Sequence, residues 1–353
     1  MKRLWIELTK RCNLFCTHCF IVRKAAPSVS QSSEVNSDFL TRIITEAANL
    51  SCESIEFTGG EPLIRKDFVR TYLHAHQTDM ALSVTTNGTL ISAEVADLWL
   101  EHRPKQIKIS FYGWDEQSYA GVVDKPGAFR LFVAGLERLG ERGIPFRMLV
   151  PAHPMLLPNI ERLHDFGKRY GAVGRVSVGW ELMLHSCHDI EANRCIRSMR
   201  PSPTDAARQK MQFPELVYAD ISLIQNAKHG QVTPDTHLFR CVAGDQSLAI
   251  DSYGFLQPCR PLFNPTLSFD LNQGSLRQAV EEHMPKVRTM RIQSTAGLER
   301  CARCALRSAC LSCPATSWME NSTLDAPVQY HCDLIHQEAY WLGLLELGKK
   351  GWQ

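Results

Sequence analysis

The sequence has no apolar run approaching the roughly 18 residues that a membrane-spanning helix needs. Its short apolar patch Leu4, Trp5 and Ile6 runs straight into Glu7, unlike a secretory leader. Charge of one sign is also lacking. The 39 basic and 37 acidic side chains leave a formal net charge of +2, too weak a field to point to nucleic acid or an anionic membrane as partner. There is no low-complexity tract, and no repeat beyond an alternation of strands and helices. A composition of 44% hydrophobic and 22% charged residues is that of a globular chain with a real core, and 353 residues leave one to three domains open. The expectation is a cytoplasmic protein with no nucleic-acid and no membrane partner.

Cysteine, by contrast, is abundant, with thirteen in the chain. Without a leader they make a poor disulfide framework, because the cytosol keeps thiols reduced and a chain of this size is stable without staples. Metal or redox chemistry explains them better. Three lie near the N-terminus, seven fall between Cys241 and Cys332, and only Cys52, Cys187 and Cys195 stand apart.

Hydrophobic periodicity predicts strands over Arg3–Leu8, Ser54–Thr58, Ala81–Thr86, Gln106–Tyr112, Pro145–Val150 and Arg175–Trp180. Helices are expected between them over Asp38–Leu50, Phe68–His76, Ala93–Glu101, Ala128–Arg142 and Ile160–Tyr170. Strands alternating with helices give a parallel sheet with crossovers, an α/β fold. Six units are too few for a closed eight-unit barrel. The expectation is therefore an open partial (β/α)6 barrel with its active site at the C-terminal strand ends. Residues 1–180 form this barrel. Residues 181–240 read as a bridge, with helices expected at Asp205–Gln212 and Glu215–Lys228. Residues 241–335 read as a cysteine-rich domain, and residues 336–353 carry a C-terminal helix that docks back on the body.

Cys12-x3-Cys16-x2-Cys19 places three thiolates in the loop after the first strand, enough to wrap three corners of a cube-shaped [4Fe–4S] cluster. One iron is then left for a small chelating substrate. The plain alternative is a zinc knuckle or scattered core cysteines. Zinc usually wants a fourth ligand nearby, and His18 between two of the cysteines is badly placed to serve.

With this spacing the chain resembles the radical S-adenosylmethionine superfamily over residues 1 to about 180. The resemblance implies that the open iron binds the amino and carboxylate groups of S-adenosylmethionine. Gly59, Gly60, Glu61 and Pro62 correspond to the family's GGEP segment, which holds the methionine amino group. Thr86 and Asn87, within Thr85–Thr86–Asn87–Gly88, look like the ribose-contacting segment. Ser110 matches a ligand-contacting position, Arg147 on the fifth strand would meet the carboxylate, and Val178 would pack on the adenine. Each of these short segments alone would be read as a turn or a solvated charge. His18 fills a position that is commonly aromatic in the family.

Cys241-x12-Gly254-x4-Cys259, a gap of 41 residues, then Cys301-x2-Cys304-x5-Cys310-x2-Cys313 and Cys332 resemble a SPASM domain, an extension that holds two auxiliary clusters. The Cys310 to Cys313 gap is one residue shorter than usual. By resemblance Cys301, Cys304, Cys310 and Cys332 hold one [4Fe–4S] cluster. Cys241, Cys259 and Cys313 hold the other, with no fourth cysteine near Asp245 and Ser247. Taken alone, the two CxxC pairs would read as zinc ribbons. Cys52 reads as core; Cys187 and Cys195 make a further metal site with His185 and His188 or, more simply, are spare or reactive thiols.

The resemblance implies a 5′-deoxyadenosyl radical that takes a hydrogen atom from the substrate, with the auxiliary clusters making the outcome oxidative. No particular catalytic side chain stands out. Relatives with full SPASM domains mostly modify peptides or proteins, so the expected function is peptide maturation, by crosslinking or side-chain oxidation. Expected partners are a peptide or small protein substrate and an electron donor such as flavodoxin or ferredoxin; because the first strand begins so early, the peptide is expected either to bind to the barrel or bridge or to be delivered by a separate leader-peptide-binding protein. Tyr112, Trp114 and Tyr119 are a substrate entrance or simply packing. The alternatives are a dehydrogenase or epimerase acting on a sugar or amino-acid derivative, and a non-enzymatic zinc adaptor.

Overall fold

The computed structural model describes residues 1–21, 34–174, 176–179, 182–184, 188–213, 222, 224–225 and 234–353. Six parallel strands form its main part: β1 (Arg3–Glu7), β2 (Ser54–Thr58), β3 (Ala81–Thr86), β4 (Gln106–Ser110), β5 (Arg147–Pro151) and β6 (Ser177–Gly179). They stand side by side in chain order. Between them run α1 (Ser37–Asn49), α2 (Phe68–His76), α3 (Ala93–Glu101), the short α4 (Glu116–Ala120), α5 (Ala128–Glu141) and α6 (Ile160–Arg169). This is the α/β partial-barrel arrangement that the periodicity implies.

The pairing register sorts the strand residues into two faces, because side chains alternate along a strand. Leu4 pairs with Ile55, Ile6 with Phe57, and Val84 with Ile107, and all six are buried in the core beneath the helices. The opposite face is polar: Trp5 pairs with Glu56, Glu7 with Thr58, Thr85 with Lys108. Helices α1 and α3 start on side-chain caps, where Asn36 accepts from Phe39 N–H and Ser92 from Val95 N–H.

The sheet does not stop at six strands. β7 (Ser247–Ile250) pairs parallel with β1, and β8 (Phe255–Gln257) and β9 (Phe269–Asp270) continue antiparallel, giving nine strands in the order β6-β5-β4-β3-β2-β1-β7-β8-β9. These three strands span four residues or fewer, too short for a periodic signal among cysteines and prolines. The bridge holds α7 (Ile190–Met199) and α8 (Pro203–Met211), of which only α8 answers to an expected helix. The helix expected at Glu215–Lys228 lies almost wholly outside the described residues, as do Arg175, Trp180, His185 and Cys187. The C-terminal helix runs over Gln329–Trp341, earlier than expected, and docks through a buried Lys210 to Glu338 ion pair of 2.9 Å. No helix among the described residues is long and apolar enough to cross a membrane.

Candidate active site

The loop after β1 is clamped from several sides. The N–H groups of Gly60 and Glu61 donate to the carbonyls of Thr9 and Arg11 at 2.7 and 2.9 Å. Arg65, buried and paired with Asp67, donates to the carbonyl oxygens of Leu8 and Val35. Lys125 Nζ donates to the Asn13 carbonyl at 2.8 Å, and Thr17 N–H to that of Val122 at 3.0 Å. Inside the loop, Leu14 N–H donates to Cys12 Sγ at 3.4 Å, and Asn87 Nδ2 reaches the same sulfur at 3.7 Å. Neither Arg65 nor Lys125 stood out in the sequence, because each acts by holding carbonyls distant along the chain.

The glycines of the GGEP segment serve this clamp. A Cβ on Gly59, whose φ is +151°, would lie 2.5 Å from the Thr9 carbonyl oxygen, and one on Gly60 would lie 2.3 Å from that of Arg11. Both glycines let the second loop press against the first.

A cavity of about 390 Å³ opens at the C-terminal strand ends. Cys12, Cys16 and Cys19 line it together with Gly59, Gly60, Thr86, Asn87, Ser110 and Val178. Three other expected ligand contacts do not reach it. Glu61 is fully buried, and its carboxylate accepts from Thr86 Oγ1 at 2.8 Å and from the N–H groups of Asn87 and Leu63 at 2.7 and 3.1 Å. It braces two loops. Pro62, itself buried, opens the turn Pro62–Ile64. Arg147 is the first residue of β5, exposed at the strand end away from the cysteine loop, with Lys108 as its register neighbour. Of the three aromatics, Tyr112 lines the cavity, Tyr119 is core, and Trp114 packs on the core beneath Arg162.

Burial pushes the Cys12 thiol up to about 12, with the charges of Glu61 and Cys19 adding to it. Cys16 is raised by burial and by the charges of Cys19 and Cys12. Three close, largely buried thiols are stable as thiolates when a metal group compensates their charge. They fit the cluster. Burial holds the His18 imidazole down at about 3, its ring 5.5 Å from that of Tyr112, so this wall of the cavity is neutral.

The C-terminal cysteines gather into two sets. Cys259 is raised by burial and then by the charges of Cys313 and Cys241. Cys310 is raised by burial and then by Cys304, Cys332 and Cys301. Ser312 N–H donates to Cys310 Sγ at 3.4 Å and Arg300 to Cys332 Sγ at 3.6 Å, as suits thiolate ligands. Cys52 is buried, and Cys195 is exposed on α7 with its sulfur 3.7 Å from the Thr17 carbonyl.

Residues 6–167 match the family model of the radical SAM superfamily. Over these residues the chain carries a radical SAM domain, of a superfamily that uses a [4Fe–4S] cluster and S-adenosylmethionine. Its relatives are of more than one kind. It is 25% identical over 333 residues to an AdoMet-dependent heme synthase of Methanosarcina barkeri, covering 88% of this chain and 90% of the relative. It is 25% identical over 169 residues to a PqqA peptide cyclase of Granulibacter bethesdensis, covering 48% of this chain and 44% of that one. The fold is shared with Streptococcus suis SuiB bound to its precursor peptide SuiA, at a TM-score of 0.68 and 16% identity, over 94% of this chain and 75% of that one.

Proposed function

We propose that this enzyme oxidatively modifies a peptide or small protein, forming a crosslink or oxidising a side chain. When bound, a cluster and S-adenosylmethionine would supply the one-electron chemistry that removes a hydrogen atom from the substrate. Cys12, Cys16 and Cys19 would hold the cluster. Gly59, Gly60, Thr86, Asn87, Ser110 and Val178 would seat the cosubstrate, and Tyr112 and His18 would exclude water beside it. Cys301, Cys304, Cys310 and Cys332 would hold one auxiliary cluster, and Cys241, Cys259 and Cys313 the other, as acceptors for the electron that the substrate loses. A flavodoxin or ferredoxin would deliver the starting electron, and a separate protein would present a leader peptide.

One observation carries the reading: the cavity that holds the three N-terminal cysteines is also walled by Arg260, the residue after Cys259. The cysteine loop after β1 and the segment that follows Cys259 thus wall one chamber. The peptide-acting names among the relatives support the substrate class. The test is anaerobic reconstitution with iron and sulfide counts, then mass spectrometry of peptides encoded beside the gene. Loss of hydrogen atoms from such a peptide, dependent on S-adenosylmethionine, is the expected result.

A second reading is a heme-forming activity, favoured by the similarity to the heme synthase along 90% of that protein's length. Heme appearing in the same assay with a porphyrin, and no change in any peptide, would decide for it. Turnover of a sugar or amino-acid derivative alone would point instead to a small-molecule dehydrogenase or epimerase.

A further inference from the structure

Beside the cavity lies a recess of about 20 Å³ between β1 and the β7–β8 hairpin, and Arg260 lines both. The other cation of the recess is paired, with Lys10 Nζ 2.7 Å from Glu7. Arg260 is not. Among the described residues no carboxylate lies within ion-pair distance of it, and its Nε is buried without a hydrogen-bond partner. Its guanidinium lies instead over two rings, 5.7 Å from the Trp5 centroid and 5.6 Å from that of Phe20. Aromatic faces satisfy the flat sides of a guanidinium and leave its N–H edge for a planar, bidentate anion. A partly buried cation without its anion is costly, and a carboxylate is the group whose geometry matches the fork.

Two further groups line the recess. Asp251 and Gln257 are 4% and 3% exposed, and Asp251 Oδ2 and Gln257 Oε1 have no hydrogen-bond donor. Both are acceptors, with room beside them for one small polar group.

We propose that Arg260 anchors a carboxylate of the substrate, and that Asp251 and Gln257 receive an N–H or O–H group next to that carboxylate. An acidic residue of a peptide, with its backbone N–H close by, carries both features. The inference rests on the cavity being the substrate chamber. The carboxylate of S-adenosylmethionine is a second source of the same chemistry, and the experiment separates the two.

Anaerobically reconstituted holoenzyme is treated with 2,3-butanedione, a guanidinium reagent, without reductant. Peptide mass spectrometry reads modification at Arg260, with exposed Arg147 as reference. In the presence of S-adenosylmethionine, saturating glutarate is expected to slow modification of Arg260 by at least about fivefold and to leave Arg147 unchanged. Glutaramide, of the same shape without the charge, is expected to do nothing. Equal protection by both compounds, or by neither, overturns the proposal, as does an Arg260 that is never modified. Full protection by S-adenosylmethionine alone assigns the site to the methionine carboxylate and overturns the substrate role. Because no turnover is needed, glutarate protection without any peptide oxidation would fault the functional reading and spare the site. Peptide oxidation without protection would do the reverse.

Discussion

The carboxylate of Glu61 accepts the backbone N–H of Asn87 at 2.7 Å, joining the turn after β2 to the turn after β3. Burial holds this carboxyl up at about 7 in spite of the hydrogen bonds from Asn87, Thr86 and Leu63. Glu61→Ala leaves buried donors unmatched, at a cost of about 1–3 kcal/mol. The expected outcome is a lower Tm and weaker S-adenosylmethionine binding, because Asn87 loses its support. Glu61→Gln keeps the shape but sets its NH2 against one donor, so it should fall between wild type and alanine. An alanine variant as stable as wild type would remove the bracing role.

Gly60→Ala places a methyl where the Arg11 carbonyl oxygen stands, 2.3 Å away. Backbone cannot yield as a side-chain tip can, so the cysteine loop must shift. Iron and sulfide per chain should fall at the N-terminal site, and S-adenosylmethionine cleavage should drop by at least about tenfold, as displaced reacting groups predict. Normal cleavage in this variant would show that the loop tolerates the displacement.

Cys16 and Cys310 belong to separate thiol groups, and their removal should separate two activities. Cys16→Ala should abolish reductive cleavage of S-adenosylmethionine. Cys310→Ala should leave cleavage running without oxidation of the peptide. The measurement is 5′-deoxyadenosine and methionine formed per chain, set against product formed. Cleavage retained in the first variant contradicts the assignment of the N-terminal loop.

Burial raises the Asp251 carboxyl from 3.8 to about 6. An acid whose pKa is raised by folding costs stability as pH climbs from the unfolded value through the folded one, and the cost is complete above it. Asp251→Asn should therefore be more stable than wild type at pH 7, by up to about 3 kcal/mol. The advantage should shrink to about half at pH 5, where wild type is mostly protonated. Unfolding midpoints of the two proteins at pH 7 and pH 5 test this, and a gap that widens toward pH 5 would reverse the sign.

The barrel was legible because its signals are local. Ser54–Thr58, Phe68–His76, Ala81–Thr86 and Ala93–Glu101 have the bounds that periodicity alone assigns. The cysteine motif needed only its spacing and its place after a strand. Arg147 differs in position by two residues: a strand drawn from Pro145 puts it inside, whereas the observed strand starts on it, at the end away from the cysteine loop. Glu61 looked like a ligand contact because sequence gives its neighbours in the chain and not Thr86 and Asn87 across a turn. Arg260 was invisible for the same cause, since its surroundings, Trp5 and Phe20, come from the opposite end of the chain.

The parallel pairing of β1 with β7 ties the first strand to one near residue 250. During synthesis β1 therefore keeps one flank bare until most of the polypeptide has been made, and a parallel contact over that distance closes slowly. A fragment ending before Ser247 would present a row of free amides and carbonyls, an invitation to self-association. The six-strand half is therefore expected not to behave as a module that can be excised. Whatever evolution adds to this enzyme has to be grafted on elsewhere than at that seam.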